Sequence, residues 1–322
     1  MKIGMQLHAD RGYDAVMEEA RRADEQGFDS VWLSDHIMAT NGQHKADGPL
    51  DLFVLMTAIA AVTQRTRLAW ASLNSTLRPP LLFAKMLTTL DVISHGRVIC
   101  SLGSGWNKEE WTAYNLPLIE DHDERAEYAR EFIVLFKQLC THPAPERSNF
   151  EGKFIQVHDL PFNPLPAQRP YPPIWIGGES PATMQTAMQE CDGWMALSAG
   201  GNRDKLAEVL SHPDWPKDRP MDVVKGGRMV VRRTRDEALK VAQAEYEAAK
   251  AVTPQFVPPT FEEFVGREIV GAPDECLERI AEVASWGVNY LRLNIPSAES
   301  QNAIAELLLP RLEETKQPAA GR

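Results

Sequence analysis

The sequence predicts an α/β protein, a (β/α)8 TIM barrel with insertions in the loops after strands, on three observations. Short apolar strands alternate with amphipathic helices along the chain, eight strands can be placed, and 322 residues suit one such barrel. The alternation calls for a parallel sheet with right-handed crossovers.

The elements read in order. Ile3 to His8 is a short strand, and Tyr13 to Gln26 a helix with Ala15, Ala20 and Ala23 on its apolar side and Gly27 as its stop. Ser30 to Leu33 is the second strand, Asp51 to Thr63 a helix, Arg67 to Leu73 the third strand and Leu81 to Ile93 a helix. Arg97 to Leu102 is the fourth strand and Glu124 to Cys140 a long helix. Asn149 to His158 reads as a surface hairpin turning at Gly152-Lys153. Pro173 to Ile176 is the fifth strand, Pro181 to Glu190 its helix, and Gly193 to Leu197 the sixth strand. Arg228 to Val231 is the seventh strand, followed by a helix from Arg235 to Lys250. The helix Pro273 to Trp286 leads into the eighth strand, Val288 to Asn294.

Two stretches break this rhythm. Asn41 to Leu50, after the second strand, lies where barrel enzymes build their sites, so it is expected to touch substrate. Thr253 to Arg267, with Pro254, Pro258 and Pro259, is an irregular insertion, either a surface excursion or a lid. Residues 1–315 read as one barrel domain and 316–322 as a disordered tail.

Composition narrows the function. The formal net charge is −11, with no basic helix face, which disfavours nucleic acid and anionic membranes as partners. Cys100, Cys140, Cys191 and Cys276 form no CxxC pair and read as buried thiols in a reducing compartment. The chain starts directly in a strand and its apolar runs are too short for a bilayer, so a cytoplasmic protein is expected.

Four segments carry candidate chemistry. In Gly177-Gly178-Glu179-Ser180-Pro181-Ala182-Thr183 a buried strand gives way to a helix with Ser at the N-cap and Pro at its first position. Such a terminus, with hydroxyls at Ser180 and Thr183, suits an anion, although a well-capped helix alone would look the same. Asp35-His36, closing the second strand, can position or transfer a proton. With no second His or Cys at ligand spacing, the pair makes a poor metal site, and no metal is expected. His8 is a weaker candidate at the end of the first strand. Gly103, Ser104 and Trp106, closing the fourth strand, would let a flat ring lie against the backbone. A dinucleotide fingerprint is absent. Asp121 to Glu124 need only a helix dipole to explain them, whereas Arg125 suits a phosphate or carboxylate.

Taken together these segments resemble the luciferase-like monooxygenase superfamily. The resemblance runs through Gly27-Phe28-Asp29-Ser30-Val31-Trp32, Asp35-His36, Leu90 to Arg97, Gly105-Trp106-Asn107 and Pro172 to Gly178. It continues through Asp192-Gly193-Trp194, Val270 to Glu275 and Trp286-Gly287-Val288. It implies a flavin or deazaflavin cofactor, with the Glu179-Ser180-x-x-Thr183 stretch holding the flavin phosphate. Gly-Trp-Asn-Lys-Glu followed by His-x-x-Arg is similar to the two-component FMN monooxygenases. The resemblance has gaps: Ala126 stands where those enzymes carry Tyr, and Ser101 where the pyrimidine enzymes use Asn.

The resemblance therefore implies a monooxygenase that takes reduced FMN as a dissociable co-substrate from an NAD(P)H-dependent flavin reductase and oxidises a small organic substrate with oxygen. In that reading Ser180 and Thr183 with Gly178 bind phosphate, Gly177 also contacts the cofactor, Gly103, Ser104 and Trp106 pack on the ring, and His36 handles a proton. The alternatives are hydride transfer with deazaflavin coenzyme F-420 and a non-catalytic flavin-binding protein. Family members pair through early barrel helices, and Leu52, Phe53, Leu55, Met56 and Ile59 suggest a homodimer.

Overall fold

Short runs buried on both faces build the parallel strands of this chain, and helices cover them. The computed structural model describes residues 1–39, 49–142, 144–196, 202–252 and 257–314. The first half comprises β1 (Lys2–Gln6), α1 (Tyr13–Glu25), β2 (Ser30–Leu33), α2 (Leu52–Val62) and β3 (Arg67–Trp70). It continues with β4 (Leu73–Asn74), α3 (Pro80–Ile93), β5 (Cys100–Gly103), α4 (Lys108–Ala113) and α5 (His122–Thr141). Next come an antiparallel hairpin, β6 (Ser148–Glu151) and β7 (Gln156–Leu160), then β8 (Ile174–Gly177), α6 (Pro181–Glu190), β9 (Gly193–Ala196) and α7 (Arg203–Leu210). The last part holds β10 (Asp222–Val231), α8 (Arg235–Val252), α9 (Phe261–Arg267) and β11 (Ile269–Gly271). It ends with α10 (Pro273–Ser285), β12 (Tyr290–Asn294), α11 (Ala298–Leu307) and α12 (Leu309–Glu314).

The parallel strands follow the order β3-β2-β1-β12-β10-β9-β8-β5-β4. A bridge between Leu68 and Val98, with Leu68 N–H on the Arg97 carbonyl and Ile99 N–H on that of Leu68, closes the ring. β3 and β4 are thus two pieces of one barrel strand, parted at Ala71-Ser72, where the peptide is cis. Across the gap the Ser101 hydroxyl accepts from Trp70 N–H at 2.9 Å and donates to the Trp70 carbonyl at 2.6 Å. A side chain therefore supplies the two backbone bonds that the ladder loses. The expected barrel stands, with the third strand interrupted.

Alternation divides the core. Along β12, Leu291 and Leu293 face the outer helices, while Tyr290 faces inward with Trp32, Ala69, Ile99, Trp175, Met195 and Val224. The three rings meet at centroid distances of 5.0–6.1 Å and fill the lower barrel. Ser30 ties the plug together, its oxygen accepting from Trp32 Nε1 at 2.6 Å and lying 2.6 Å from the Tyr290 hydroxyl, whose proton goes to the Asp29 carboxylate. Gly4 makes room for it: a Cβ there would lie 2.2 Å from Ser30 Oγ and 2.3 Å from Trp32 Nε1. Gly4→Ala is therefore expected to destabilise the fold by ~1–3 kcal/mol, the usual cost of overpacking. Thermal unfolding checks this, and an unchanged Tm would show that the plug can yield.

Three expectations need correction, while the helix before the eighth strand stands as expected. The seventh strand begins at Asp222, ahead of the expected Arg228, and its first half does the barrel pairing with β9 and β12. Its end, Met229 to Val231, pairs with β11 instead. On that extension α8 and α9 build a separate small core of Val230, Ala238, Ala242, Tyr246, Phe264 and Val270. The stretch expected to be irregular thus contains helix α9, anchored by Phe264, while 253–256 lie outside the described residues. The barrel helix before β12 is α10, whose Cys276, Ile280 and Val283 join the main core. Finally, Leu52, Phe53, Leu55, Met56 and Ile59 offer no free surface. Each is at most 4% exposed, and Phe53 stacks on Trp70 at 5.5 Å. Residues 41–48 of the expected substrate loop and the tail 316–322 lie outside the described residues. All four cysteines are buried and free, as expected. Among the described residues no helix is long and apolar enough to cross a membrane.

Candidate active site

The C-terminal ends of the strands form the mouth of the barrel, and the candidate residues gather around it. At the end of β2 the adjacent Asp35 and His36 go separate ways. Asp35 is buried and receives both Arg78 Nη1 and Nη2, at 2.7 and 2.9 Å, and Asn74 N–H at 3.0 Å. Burial disfavours the Arg78 charge, yet the carboxylates of Asp35 and Asp51 outweigh that and raise its pKa. Asp35 touches Arg78 rather than His36 and fastens the β2 end to the loop after β4.

The carboxylate that holds His36 comes from a helix the sequence did not reveal. Glu110 of α4 is completely buried, and its oxygens lie 3.0 and 3.2 Å from His36 Nδ1. The same carboxylate accepts Ile37 N–H at 2.8 Å. A carboxylate accepting at Nδ1 fixes the proton there and leaves Nε2 as the open acceptor of the neutral ring. Among the described residues Nε2 has no protein hydrogen bond. Two further bonds secure α4: Trp111 Nε1 donates to Thr76 Oγ1 at 3.0 Å, and the Tyr114 hydroxyl to the Ile37 carbonyl at 2.8 Å. Trp106, more than half exposed, meets the His36 ring edge-on at 5.7 Å.

Across the mouth, β5 and β8 are neighbours, and both end in glycine. Leu102 pairs with Ile176, so Gly103 and Gly177 lie side by side without side chains of their own, Ser72 standing against the first and the Met195 methyl against the second. Gly103 is obligatory, since a Cβ there would come 2.1 Å from Ser72 Oγ. Ser104 follows on the turn, partly buried. Beyond this pair Gly178, at φ +136°, delivers the chain to α6. Ser180 Oγ accepts Thr183 N–H at 3.3 Å and donates to Thr183 Oγ1 at 3.0 Å, which leaves the Thr183 hydroxyl proton to give. Pro181 has no N–H and Met184 N–H is taken by the Ser180 carbonyl, so the first turn presents Ala182 N–H outward. Glu179 is exposed. The sequence thus placed this helix start well.

Arg125 is engaged elsewhere. Its Nη1 donates to the carbonyls of Ile119 and Glu120, at 2.8 Å each, and its guanidinium lies 5.9 Å from the Trp111 ring. It ties down the loop between α4 and α5.

On a third side of the mouth the sequence picked out His8 but missed its neighbours. His8 Nε2 lies 2.9 Å from Asn294 Oδ1, and Arg292 Nη1 donates to Gln6 Oε1 at 2.9 Å. The signal was available: in Tyr290-Leu291-Arg292-Leu293-Asn294 the polar residues share one face. The mouth offers a flavin two adjacent glycines, an adjoining hydroxyl-bearing helix start and a close-packed aromatic floor.

Comparison with known proteins agrees. The model of the luciferase-like monooxygenases matches residues 1–290. The FMNH2-dependent dimethylsulfone monooxygenase of Pseudomonas putida is 28% identical over 299 residues, covering 84% of this chain and 80% of that protein. The F420-dependent glucose-6-phosphate dehydrogenase of Kineococcus radiotolerans is 32% identical over 212 residues, covering 65% of this chain and 60% of that protein. In fold, the monooxygenase RslO1 of Streptomyces bottropensis superposes with a TM-score of 0.79 at 23% identity, over 97% of this chain and 100% of that one. This chain belongs to the luciferase-like monooxygenase family.

Proposed function

We propose that the chain is a monooxygenase that receives reduced FMN from a separate NAD(P)H-dependent flavin reductase and uses oxygen on a small organic substrate. One observation carries the reading: paired glycines at the ends of β5 and β8 and a hydroxyl-bearing helix start share the barrel mouth with an imidazole held at Nδ1 by a buried carboxylate. The Thr183 hydroxyl, oriented by Ser180, and Ala182 N–H hold the flavin phosphate, while Gly103, Gly177 and Ser104 seat the ring. Reduced flavin supplies the electrons that activate oxygen. The chain does the rest. His36 Nε2 takes or returns a proton at the substrate, Glu110 keeps that nitrogen open, and Asp35 with Arg78 fixes the backbone beneath it. Trp32, Trp175 and Tyr290 seal the barrel from below, and a dry site keeps the oxygen chemistry from running to waste. The relationship to an FMNH2-dependent monooxygenase over 84% of the chain supports this choice.

The relationship to an F420-dependent dehydrogenase favours a second reading, hydride transfer from a reduced deazaflavin. Anaerobic titration with photoreduced FMN and with reduced coenzyme F420, followed by tryptophan quenching, separates the two. We expect reduced FMN to bind at least tenfold more tightly, and tighter binding of the deazaflavin would reverse the assignment.

A further inference from the structure

The third side of the mouth holds more positive charge than the fold can use. Arg292 stands inside the barrel directly above Tyr290 on β12, paired with Gly4 on one side and Gly226 on the other. Its guanidinium lies over Gly226, where a Cβ would come 2.7 Å from Nη2. Of its five N–H donors, one is spent, on the neutral amide oxygen of Gln6 at 2.9 Å. No carboxylate forms an ion pair with it among the described residues. Arg228, in the mouth layer of β10 next to Asn294, adds a second guanidinium. Lys225, next to inward-facing Val224, points to the outer side of the strand and donates to the carbonyls of Gly226 and Arg267, at 3.2 and 3.1 Å. Among the described residues one carboxylate serves the two guanidiniums. Glu268 is already held by the Arg228 N–H and by Arg228 Nη1 at 3.6 Å. Burial lowers the pKa of both Lys225 and Arg292, against the opposing pull of Glu268, and Arg228 lowers that of Arg292 further.

A buried cation without a counter-ion is costly, and two neighbouring guanidiniums repel one another. The cost stands out in a chain with 45 acidic and 34 basic residues, where carboxylates are plentiful. A carboxylate or sulfonate would supply the missing charge and accept two parallel N–H bonds from Arg292. The flavin phosphate is not that group, because α6 follows β8, with β9 and β10 lying between β8 and β12.

We infer that the substrate is a small organic acid whose carboxylate or sulfonate is anchored by Arg292, with Arg228 reinforcing the field. The inference rests on the mouth being the site of reaction, as proposed above, but its test needs no flavin. The probes are benzoate and methanesulfonate, with benzamide and dimethyl sulfone as neutral counterparts, titrated calorimetrically into the flavin-free protein. At least one acid should bind at least tenfold more tightly than its neutral counterpart. Arg292→Gln should abolish that preference while keeping FMN affinity within twofold, and Arg292→Lys, which keeps the charge, should retain part of it. The melting temperature of each variant establishes that it is folded. The proposal is overturned if neither acid binds, if acid and neutral probe bind alike, or if Arg292→Gln keeps the acid. It is also overturned if that variant loses FMN instead, since the cation would then serve the cofactor. Acid binding as described with no affinity for FMN would leave this site standing and remove the flavin reading.

Discussion

Replacing Glu110 with Gln is expected to cripple turnover about as severely as His36→Ala, although the two changes look very different in size. Removing the imidazole deletes a general acid–base group, a loss of ~10²–10⁴-fold in rate. Glu110→Gln keeps the ring and an oxygen for Ile37 N–H, which Glu110 accepts at 2.8 Å. Its amide N–H₂, however, would face His36 Nδ1, 3.0 Å from the native carboxylate. The imidazole then accepts at Nδ1 and carries its proton on Nε2, so the atom aimed at the mouth changes from acceptor to donor. Both variants should bind reduced FMN within twofold of wild type, because the paired glycines and α6 lie on other strands. Product formation with photoreduced FMN and oxygen, beside flavin titrations, checks both. Full activity in Glu110→Gln would show that the tautomer is irrelevant. A parallel loss of flavin affinity would move His36 into the cofactor site.

The barrel itself was legible, because short apolar strands alternating with amphipathic helices admit few other arrangements. What escaped had physical reasons. β10 opens Asp222-Val223-Val224-Lys225-Gly226-Gly227, and a lysine with two glycines hides a barrel strand from any apolar pattern. Helix α4 is only six residues long, so it leaves little periodic signal. The partner of His36 illustrates the deeper limit. Neighbours in an extended chain point to opposite sides, so Asp35 beside His36 in sequence is poorly placed to touch it. Glu110, 74 positions away, arrives only through the folding of a loop. Likewise the apolar face of α2 suggested a surface for a second copy, yet one chain already buries it under α1, α3 and β3. The α6 start was readable because N-cap Ser, N1 Pro and a preceding glycine are local rules that need no tertiary knowledge.

That helix start also carries the larger claim. Ser180→Ala, Thr183→Ala should weaken reduced FMN by at least tenfold, because each hydrogen bond to a charged phosphate contributes ~1.5–3 kcal/mol. A separate cost falls on the fold, ~1 kcal/mol for losing the N-cap hydroxyl that accepts Thr183 N–H, and it is independent of flavin. Riboflavin shares the ring and ribityl chain but lacks the phosphate, so its affinity reports damage to the pocket alone. The most direct measurement is therefore an anaerobic titration of reduced FMN and reduced riboflavin into wild type and double variant, well below both melting temperatures. The structure predicts that FMN weakens by at least tenfold while riboflavin stays within twofold. Equal weakening of the two, or none, would mean that the α6 terminus is only a capped helix and that the cofactor phosphate is not bound there.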